Sequence, residues 1–410
     1  MVRGILSVLV AGLAIVVAGC ATPPRGPAVP EADLARAYPL GIPNARFHAD
    51  ADPAPIVAEA ALALERGQAA RRAQGKSAQG EPRADFLALS GGGDNGAFGA
   101  GFVVGWTAAG TRPEFRMVTG ISTGALIAPF AFLGPQYDDQ LRKVYTTLGP
   151  DRVFFRRRLS AALFSDAMAD ASPLADTIAY YANEQMLAAI AEEYQRGRLL
   201  LIGTTDLDAQ RPVIWNIGAI AASRHPQALD LFRKILQASA AIPGAFPPAM
   251  IDVEIDGRTY QEMHVDGATM AQLFLYPGSF DPGTLQGRSR QTAYIIRNGR
   301  LDPEHAETGR RTIAIASRAM STLLQSAGYS DVVQAYFLTK RDGVAYRLAY
   351  IGPEFRTDRS GPFDLAYMQA LFDYGYAQAR SGHPWHDTPP GLHTTRPVEE
   401  TGRQAAARTE

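Results

Sequence analysis

Gly120-Ile121-Ser122-Thr123-Gly124 is the stretch of this 410-residue chain that decides its fold. A run typical of a strand, residues 115–119, precedes it, and the apolar residues 125–133 predict a buried helix after it. A G-x-S-x-G between a strand and a helix holds its serine on a sharp turn with small residues on either side. The pattern therefore predicts Ser122 as a nucleophile. The simpler interpretation is that Ser122 caps the helix N-terminus.

A second glycine-rich turn, Ser90-Gly91-Gly92-Gly93-Asp94-Asn95-Gly96, comes earlier in the chain. It follows the apolar residues 86–89, which predict a buried strand, and it opens a helical stretch at residues 95–109. Bare backbone N–H groups at a helix start can hold a developing oxyanion. The turn is alternatively a flexible loop or a phosphate cradle, although no Lys-Ser or Lys-Thr follows as in a P-loop.

A serine nucleophile needs a base, and the residues after Ser122 offer two kinds. The histidines in this part of the chain are His225, His264, His305, His383, His386 and His393. None of them lies in an attractive catalytic setting, since the last three fall in a proline-rich tail. Asp266 follows a strand-like segment in the turn Asp266-Gly267-Ala268. Burial would raise the pKa of this carboxyl and make it a better base.

Taken together, the ordered motifs Gly91-Gly92-Gly93 with Gly96, Gly120-x-Ser122-x-Gly124 and Asp266-Gly267-Ala268 resemble the patatin-like phospholipase family, over residues 86–275. The resemblance implies an α/β fold, a patatin-like three-layer α/β/α with a mostly parallel central sheet. It also implies a lipid acyl hydrolase with a Ser-Asp dyad that needs no cofactor and no metal. Ser122 would be the nucleophile on an elbow framed by Gly120 and Gly124, and Asp266 the general base. The oxyanion hole would come from Gly91, Gly92 and Gly93, chiefly from the last two.

One position departs from the family pattern. The glycine loop of the family usually carries Arg or Lys where this chain has Asn95. Losing that cation weakens the expected attraction for an anionic headgroup, so it bears on phospholipid preference more than on ester hydrolysis.

Composition excludes several functional classes. The net charge of −1 gives no basic field for nucleic acid, and a single cysteine excludes an internal disulfide or a cysteine-rich metal site. Asp206 and Asp208, with Thr204 and Thr205, are better explained by a capped turn between strands than by a cation site. We expect His264 to have a structural hydrogen-bonding role rather than to tune Asp266.

The N-terminus has the features of a lipoprotein signal. Arg3 precedes the apolar residues 5–17, and Val17-Ala18-Gly19-Cys20 resembles the lipobox of bacterial lipoproteins. The resemblance implies cleavage before Cys20, lipidation of that cysteine and attachment to the cell envelope. Ala21, in place of Asp, points to the outer membrane. An ordinary cleaved signal with a chance cysteine is the alternative.

The chain divides into five predicted parts. These are a signal peptide at 1–19, a tether and linker with a helix at 20–84, a catalytic domain at 85–300, a C-terminal extension packed on it at 301–380, and a poorly ordered tail at 381–410. Predicted helices cover residues 56–72, 229–239, 312–325 and 363–380, and predicted strands cover 199–202, 212–215, 259–265, 293–296 and 345–350. Strands alternating with helices favour an α/β architecture.

Three functional hypotheses follow. The first is a lipid-anchored bacterial serine acyl hydrolase, of phospholipase A, lysophospholipase or esterase type, that acts at a bilayer. The second is a non-catalytic, membrane-anchored lipid-binding or scaffold protein of the same fold. The third keeps the enzyme but gives it a Ser-His-Asp triad.

Overall fold

The computed structural model of the chain describes residues 24–48, 50–75, 83–157, 166–278, 280, 282–283, 290–382 and 384–392. The predicted signal peptide, Cys20, part of the linker and the tail beyond residue 392 lie outside the described residues. In the described ranges, no helix combines the length and the apolar character needed to span a bilayer.

A mixed sheet forms the centre of the molecule. Its strands, with the separate hairpin β4–β5, are β1 (Arg46–His48), β2 (Arg83–Leu89), β3 (Met117–Ile121), β4 (Phe155–Arg156), β5 (Ala169–Asp170), β6 (Leu199–Asp206), β7 (Arg211–Asn216), β8 (Ala249–Ile255), β9 (Arg258–Asp266), β10 (Arg290–Arg297) and β11 (Ala345–Tyr350). The order along the sheet is β1-β7-β6-β3-β2-β10-β11, and β9 pairs with both β6 and β8. Strands β6, β3, β2, β10 and β11 are parallel, whereas β1, β7, β8 and β9 pair antiparallel with their neighbours.

Helices cover both faces of the sheet. They are α1 (Ala54–Ala73), α2 (Gly96–Ala108), α3 (Thr123–Leu133), α4 (Asp138–Thr147), α5 (Ser172–Tyr181), α6 (Glu184–Gln195), α7 (Ile217–Ala222), α8 (Ala228–Ser239), α9 (Thr312–Arg341) and α10 (Leu365–Arg380). Along β2, Leu87 and Leu89 join the larger hydrophobic core, while Phe86 and Ala88 join a second core on the opposite face. The α/β class and the patatin-like layered arrangement around a mostly parallel sheet are therefore confirmed.

The C-terminal extension is built into the sheet and the larger core. Strand β11 pairs in parallel with β10, and α10 packs directly on α2. The two helices approach so closely that a Cβ on Gly101 of α2 would lie 2.0 Å from the carbonyl oxygen of Phe372 in α10. Small residues on α2 thus permit a backbone-to-backbone contact that a larger side chain would prevent.

The segment before α1 is part of the fold, although its composition predicts a tether. Strand β1 pairs with β7, and buried Arg46 forms an ion pair with buried Glu262 of β9. Arg25 makes a second ion pair with Asp208 at 2.7 Å. These contacts join residues far apart in the chain, so a pattern of Pro and Ala with no periodicity gives no sign of them.

Residues 384–392 pack on the body, although composition predicts a poorly ordered tail from residue 381. The ring of Trp385 lies 4.8 Å from that of Trp106 and 4.9 Å from those of Phe102 and Tyr294. His386 donates its N–H to the carbonyl of Leu348 in β11 at 2.8 Å. One partly buried aromatic side chain thus attaches to the body a stretch that is otherwise polar and proline-rich.

Candidate active site

Strand pairing brings Ser122 and Asp266 together. Strand β3 ends at Ile121, which pairs with Gly203 of β6. Strand β9 approaches from the opposite direction and ends at Asp266, which pairs with Thr204 of β6. Because β7 covers the other edge of β6, the ends of β3 and β9 meet head to head on one edge. Ser122 follows Ile121 directly, so its side chain lies beside Asp266.

The two side chains form a buried hydrogen bond. Ser122 Oγ donates to Asp266 Oδ2 at 2.7 Å, and both residues are buried. Ser122 has a φ of 55° and a ψ of −126°, a conformation that L residues rarely adopt. Its backbone N–H donates to Ser239 Oγ, whose hydroxyl donates to the carbonyl of Gly203. Ser239, at the end of α8, therefore helps to hold the strained turn.

Gly120 and Gly124 are required by close packing around this turn. A Cβ on Gly124 would lie 2.2 Å from the carbonyl oxygen of Leu89, and a Cβ on Gly120 would lie 2.5 Å from that of Gly124. No side chain fits at such distances. The strand-turn-helix that the G-x-S-x-G predicts is thus present, with Ser122 between β3 and α3.

Burial sets the acidity of Asp266. It raises the pKa of the Asp266 carboxyl to about 7, and the hydrogen bonds from Ser122 and from the Ala268 N–H lower that pKa by less. The Ala268 bond, 2.8 Å to Oδ1, leaves Oδ2 directed at Ser122. A carboxylate with a pKa near neutrality can accept a proton far better than an aspartate in water.

The triple-glycine loop lies against Ser122, and its three amides are not equivalent. Gly91 donates its N–H to the carbonyl of Gln272 at 2.9 Å, so this amide is not available to an oxyanion, contrary to the prediction. In the part of the chain that the structure describes, the N–H groups of Gly92 and Gly93 have no such partner. Gly93 lines the same cavity as Ser122.

Two residues at the end of β10, which the motifs did not identify, support the triple-glycine loop through hydrogen bonds. Buried Arg297 donates to the carbonyl of Gly91 at 2.9 Å and to Gln272 Oε1 at 3.1 Å. Asn298 donates its backbone N–H to Ser90 Oγ and its amide N–H to the Ser90 carbonyl. Burial lowers the pKa of the Arg297 guanidinium to about 10, which leaves it charged at neutral pH. The available signal was a polar Arg-Asn pair directly after the apolar strand at residues 293–296.

The C-terminal extension also contacts the triple-glycine loop, through Asp94 and Asn95. Arg359 forms an ion pair with Asp94, and the backbone N–H of Phe363 donates to the same carboxylate at 3.0 Å. Asn95, which stands where the expected family pattern has a cation, accepts a hydrogen bond from the Tyr367 hydroxyl at 2.8 Å. Asp94 and Asn95 thus connect the glycine loop to residues outside the predicted catalytic domain.

Comparison with known proteins agrees with this arrangement. A family model described as patatin-like phospholipase matches residues 87–276. This region is a patatin-like phospholipase domain. It includes the end of β2, both glycine-rich turns and the Asp266 turn, and its family supports lipid hydrolysis as the general activity of the chain. No curated protein is significantly similar to the chain in sequence.

Solved structures are similar to the chain at low sequence identity. VipD from Legionella pneumophila is 12% identical, with a TM-score of 0.35 over 74% of this chain and 67% of that protein. Human GIVD cytosolic phospholipase A2 is 11% identical, with a TM-score of 0.34 over 82% and 65%. The type III effector protein ExoU is 14% identical, with a TM-score of 0.19 over 74% and 54%. This chain therefore spans under two thirds of the length of the last two.

Ser122 of the patatin-like domain lines an apolar cavity that is open to solvent. Its walls come mainly from aliphatic and aromatic side chains of α3 and α5 and of residues 144–153 and 236–246. Phe246 and Phe363 line it, and Phe154 packs between these two rings at 6.1 and 6.0 Å. Among the described residues that line the cavity, Arg152 is the one charged residue, and it is exposed.

No described histidine bonds to Ser122. Buried His264 contacts Thr204 Oγ1 through Nδ1 at 3.0 Å and Glu262 Oε2 through Nε2 at 3.1 Å, so it has the structural role that we expected. His225 Nδ1 accepts a hydrogen bond from the Gln227 N–H on the surface. His305 is exposed, and His386 stacks on Tyr350. His383 and His393 lie outside the described residues.

Hydrogen bonds and an ion pair engage most of a buried polar cluster behind the site. Asp206, Glu262 and His264 bring metal-ligand atoms within 4.8 Å of one another. Arg46 already binds both oxygens of Glu262, and Asp206 Oδ1 accepts the N–H groups of Asp208 and Ala209. Asp206 therefore caps the turn between β6 and β7, the alternative that the sequence favoured over a cation site.

Asp266→Asn tests the electrostatics of the site without an activity assay. The pKa of the carboxyl is higher in the folded chain than in the unfolded chain, where it is about 3.9. Between about pH 4 and 7 the folded state therefore holds the extra proton, and the stability of the wild type falls as pH rises through that window. We expect the Tm of Asp266→Asn, relative to the wild type, to rise by a few degrees between pH 5 and pH 8.

The matched control is Asp256→Asn, at an exposed turn with a φ of 51° that asparagine also tolerates. Its Tm difference from the wild type should not depend on pH in this way. If the Tm difference between Asp266→Asn and the wild type is also independent of pH, burial does not raise the pKa of the Asp266 carboxyl to near neutrality.

Proposed function

We propose that the chain is a serine hydrolase that cleaves carboxylic ester bonds of lipids by a Ser-Asp dyad. The observation that supports this most directly is the 2.7 Å hydrogen bond from Ser122 Oγ to Asp266 Oδ2, at the inner end of an apolar cavity. The family assignment supports lipid hydrolysis in general, and this pair supplies the particular mechanism.

The reaction has two halves. In the first, Ser122 Oγ attacks the ester carbonyl while its proton passes to Asp266 Oδ2, and the oxyanion forms beside the free N–H groups of Gly92 and Gly93. The tetrahedral intermediate collapses, the C–O bond to the alcohol breaks, and Asp266 returns the proton to the leaving alkoxide. In the second half, water loses a proton to Asp266 and attacks the acyl-enzyme. The fatty acid leaves, and the proton returns to Ser122.

The cavity supports a long acyl chain as the bound part of the substrate. Its lining is almost wholly apolar, and burying methylene groups there stabilises the complex by about 0.8 kcal/mol for each CH₂. Arg152 both lines the cavity and is exposed, so its guanidinium can contact the polar end of such a lipid. We therefore infer an anionic headgroup, which makes a phospholipase or lysophospholipase the favoured type over a simple esterase.

Attachment to the bacterial envelope through Cys20 is a separate proposal that rests on the lipobox-like residues 17–20. A tethered enzyme meets its bilayer substrate at a raised effective concentration. Mass spectrometry of the mature protein from membranes of a bacterial host should find an acylated Cys20 as its first residue. A different N-terminus, or an unmodified Cys20, would contradict the anchor and leave the hydrolase proposal untouched.

Substitution of the dyad tests the mechanism. A fluorophosphonate probe should label the wild type and not Ser122→Ala. Asp266→Asn should lower kcat on p-nitrophenyl esters by about a thousandfold or more, because the serine loses its base. The variants His225→Ala, at a half-buried surface position, and His305→Ala, at an exposed one, should keep full activity.

Two outcomes would overturn this mechanism. If the folded wild type is not labelled, the non-catalytic binding protein becomes the better description. If a histidine variant is as inactive as Asp266→Asn, the Ser-His-Asp triad replaces the dyad.

Arg152→Met tests the headgroup. Its kcat/KM on an anionic phospholipid should fall by roughly tenfold, because a charge-assisted contact to phosphate is lost. Its kcat/KM on a neutral p-nitrophenyl ester should change little. Arg258→Met, an exposed substitution at the β8–β9 turn, is the matched control and should alter neither value. Equal loss on both substrates would mean that Arg152 shapes the cavity and does not bind the headgroup.

A further inference from the structure

The N-terminal half of α9, residues 312–327, carries large apolar side chains that nothing in the described chain covers. We call it the projecting half. Ile313 and Leu323 are 65% and 66% exposed, and Ile315 and Met320 are also more than half exposed. The other half of α9 behaves normally, since Val332, Ala335 and Tyr336 are buried in the second core. One helix thus has a packed half and an exposed apolar half.

The projecting half extends past the edge of the sheet at which Ser122 lies. Helix α9 passes the glycine loop at Gly328, where a Cβ would lie 2.4 Å from the Arg297 guanidinium. Arg297 ends β10 and binds Gly91, so this level is the carboxyl edge of the parallel strands. The sixteen residues before Gly328 therefore continue beyond that edge for about 24 Å at 1.5 Å per residue.

The polarity of this helix is the reverse of that of an ordinary surface helix. Arg318 donates to the carbonyl of Glu304, and Gln325 donates to that of Asp302, so the polar side faces the body of the protein. At 100° per residue, Ile313, Met320 and Leu323 lie on the opposite side, toward solvent. An amphipathic helix that turns its apolar side outward needs a partner of apolar character.

Charge and position indicate which partner. Asp302, Glu304 and Glu307 lie in the segment before this stretch, but residues 310–330 contain Arg310, Arg311 and Arg318 and no Asp or Glu. Such a surface is attracted to an anionic bilayer, whereas two copies of it would repel each other. At the same edge Met270, four residues after Asp266, is also exposed. The projecting half and Met270 thus lie at the same edge of the sheet as Ser122.

We propose that the projecting half of α9 inserts its apolar side into the surface of a bilayer that contains anionic lipid, and so presents the mouth of the cavity to the membrane. The choice of a lipid surface rests on the proposed function. The insertion itself does not require turnover, so the two can fail separately.

A fluorophore at single positions tests the insertion directly, because the chain has one cysteine, Cys20. In the full chain with Cys20→Ser and Ser122→Ala, a cysteine replaces Met320 and is labelled with an environment-sensitive dye. The matched control places the cysteine at Phe337, which lies on the same helix and is 57% exposed. Vesicles of phosphatidylcholine, with and without phosphatidylglycerol, carry a quencher on their acyl chains.

We expect the dye at position 320 to shift to the blue and to be quenched on vesicles that contain phosphatidylglycerol, and the dye at position 337 to stay unchanged. The variant Ile313→Ser/Leu323→Ser should bind vesicles roughly tenfold more weakly, since binding scales with the buried apolar area. With Ser122 restored, it should hydrolyse a soluble p-nitrophenyl ester normally.

Three results would overturn the proposal. They are a chain that binds vesicles while the dye at position 320 stays in water, a chain that does not bind vesicles, and a shift at position 320 that depends on protein concentration and needs no lipid. The last would indicate a second copy of the chain as the partner. Loss of soluble-ester hydrolysis in the otherwise wild-type chain would instead refute the proposed function and would not affect the dye measurement.

Discussion

The hydrogen bond between Ser122 and Asp266 depends on how three strands share one edge. Strand β6 continues past the end of β3, and β9 uses the remaining three residues of that edge from the opposite direction. The last residue of β9 is then adjacent to the first residue after β3. A serine hydroxyl and a carboxylate 144 positions apart in sequence thereby meet at 2.7 Å. In the mechanism that we propose, this preorganisation takes the place of a third residue that would orient the base.

The distribution of cations around the site explains why Asp266 differs from its acidic neighbours. Arg46 binds Glu262, and the pKa of that carboxyl is held at about 2 by His264 and Arg46 despite burial. Asp266 is as deeply buried and has only neutral donors, Ser122 and Ala268. The pKa values of two carboxyls four residues apart on one strand are thus shifted in opposite directions. One is a permanent anion that fixes β9, and the other can change its protonation state near neutral pH.

Local motifs predicted much of the site, and long-range contacts account for what they missed. The strained serine turn, the Asp266 turn and the strands around them follow from glycine spacing and apolar runs, which are local signals. The engagement of Gly91 by Gln272 and the support from Arg297 and Ser239 involve partners between strands and helices, which no local pattern specifies. For the same reason, composition predicted a tether at residues 24–48 and a poorly ordered tail at residues 384–392. In the structure both segments pack on the body, through Arg46 and Trp385 respectively. Helix α9 was predicted to end at residue 325, but it continues to Arg341.

The contacts of the glycine loop argue that the catalytic unit extends well beyond residue 276. The family model ends there, yet Arg297 and Asn298 hold the loop from one side and Arg359 and Tyr367 hold it from the other. The free amides of Gly92 and Gly93 can face a developing oxyanion only while the loop keeps this shape, since an unsupported run of three glycines would sample many conformations. At position 95 the family pattern expects a cation, and this chain has Asn95. The Asn95 side chain accepts a hydrogen bond from Tyr367. A guanidinium is present nearby in Arg359, but it pairs with Asp94 and so stabilises the loop. The extension is therefore part of the machinery that shapes the site, and the boundary at residue 300 predicted from sequence divides a unit that the structure keeps whole.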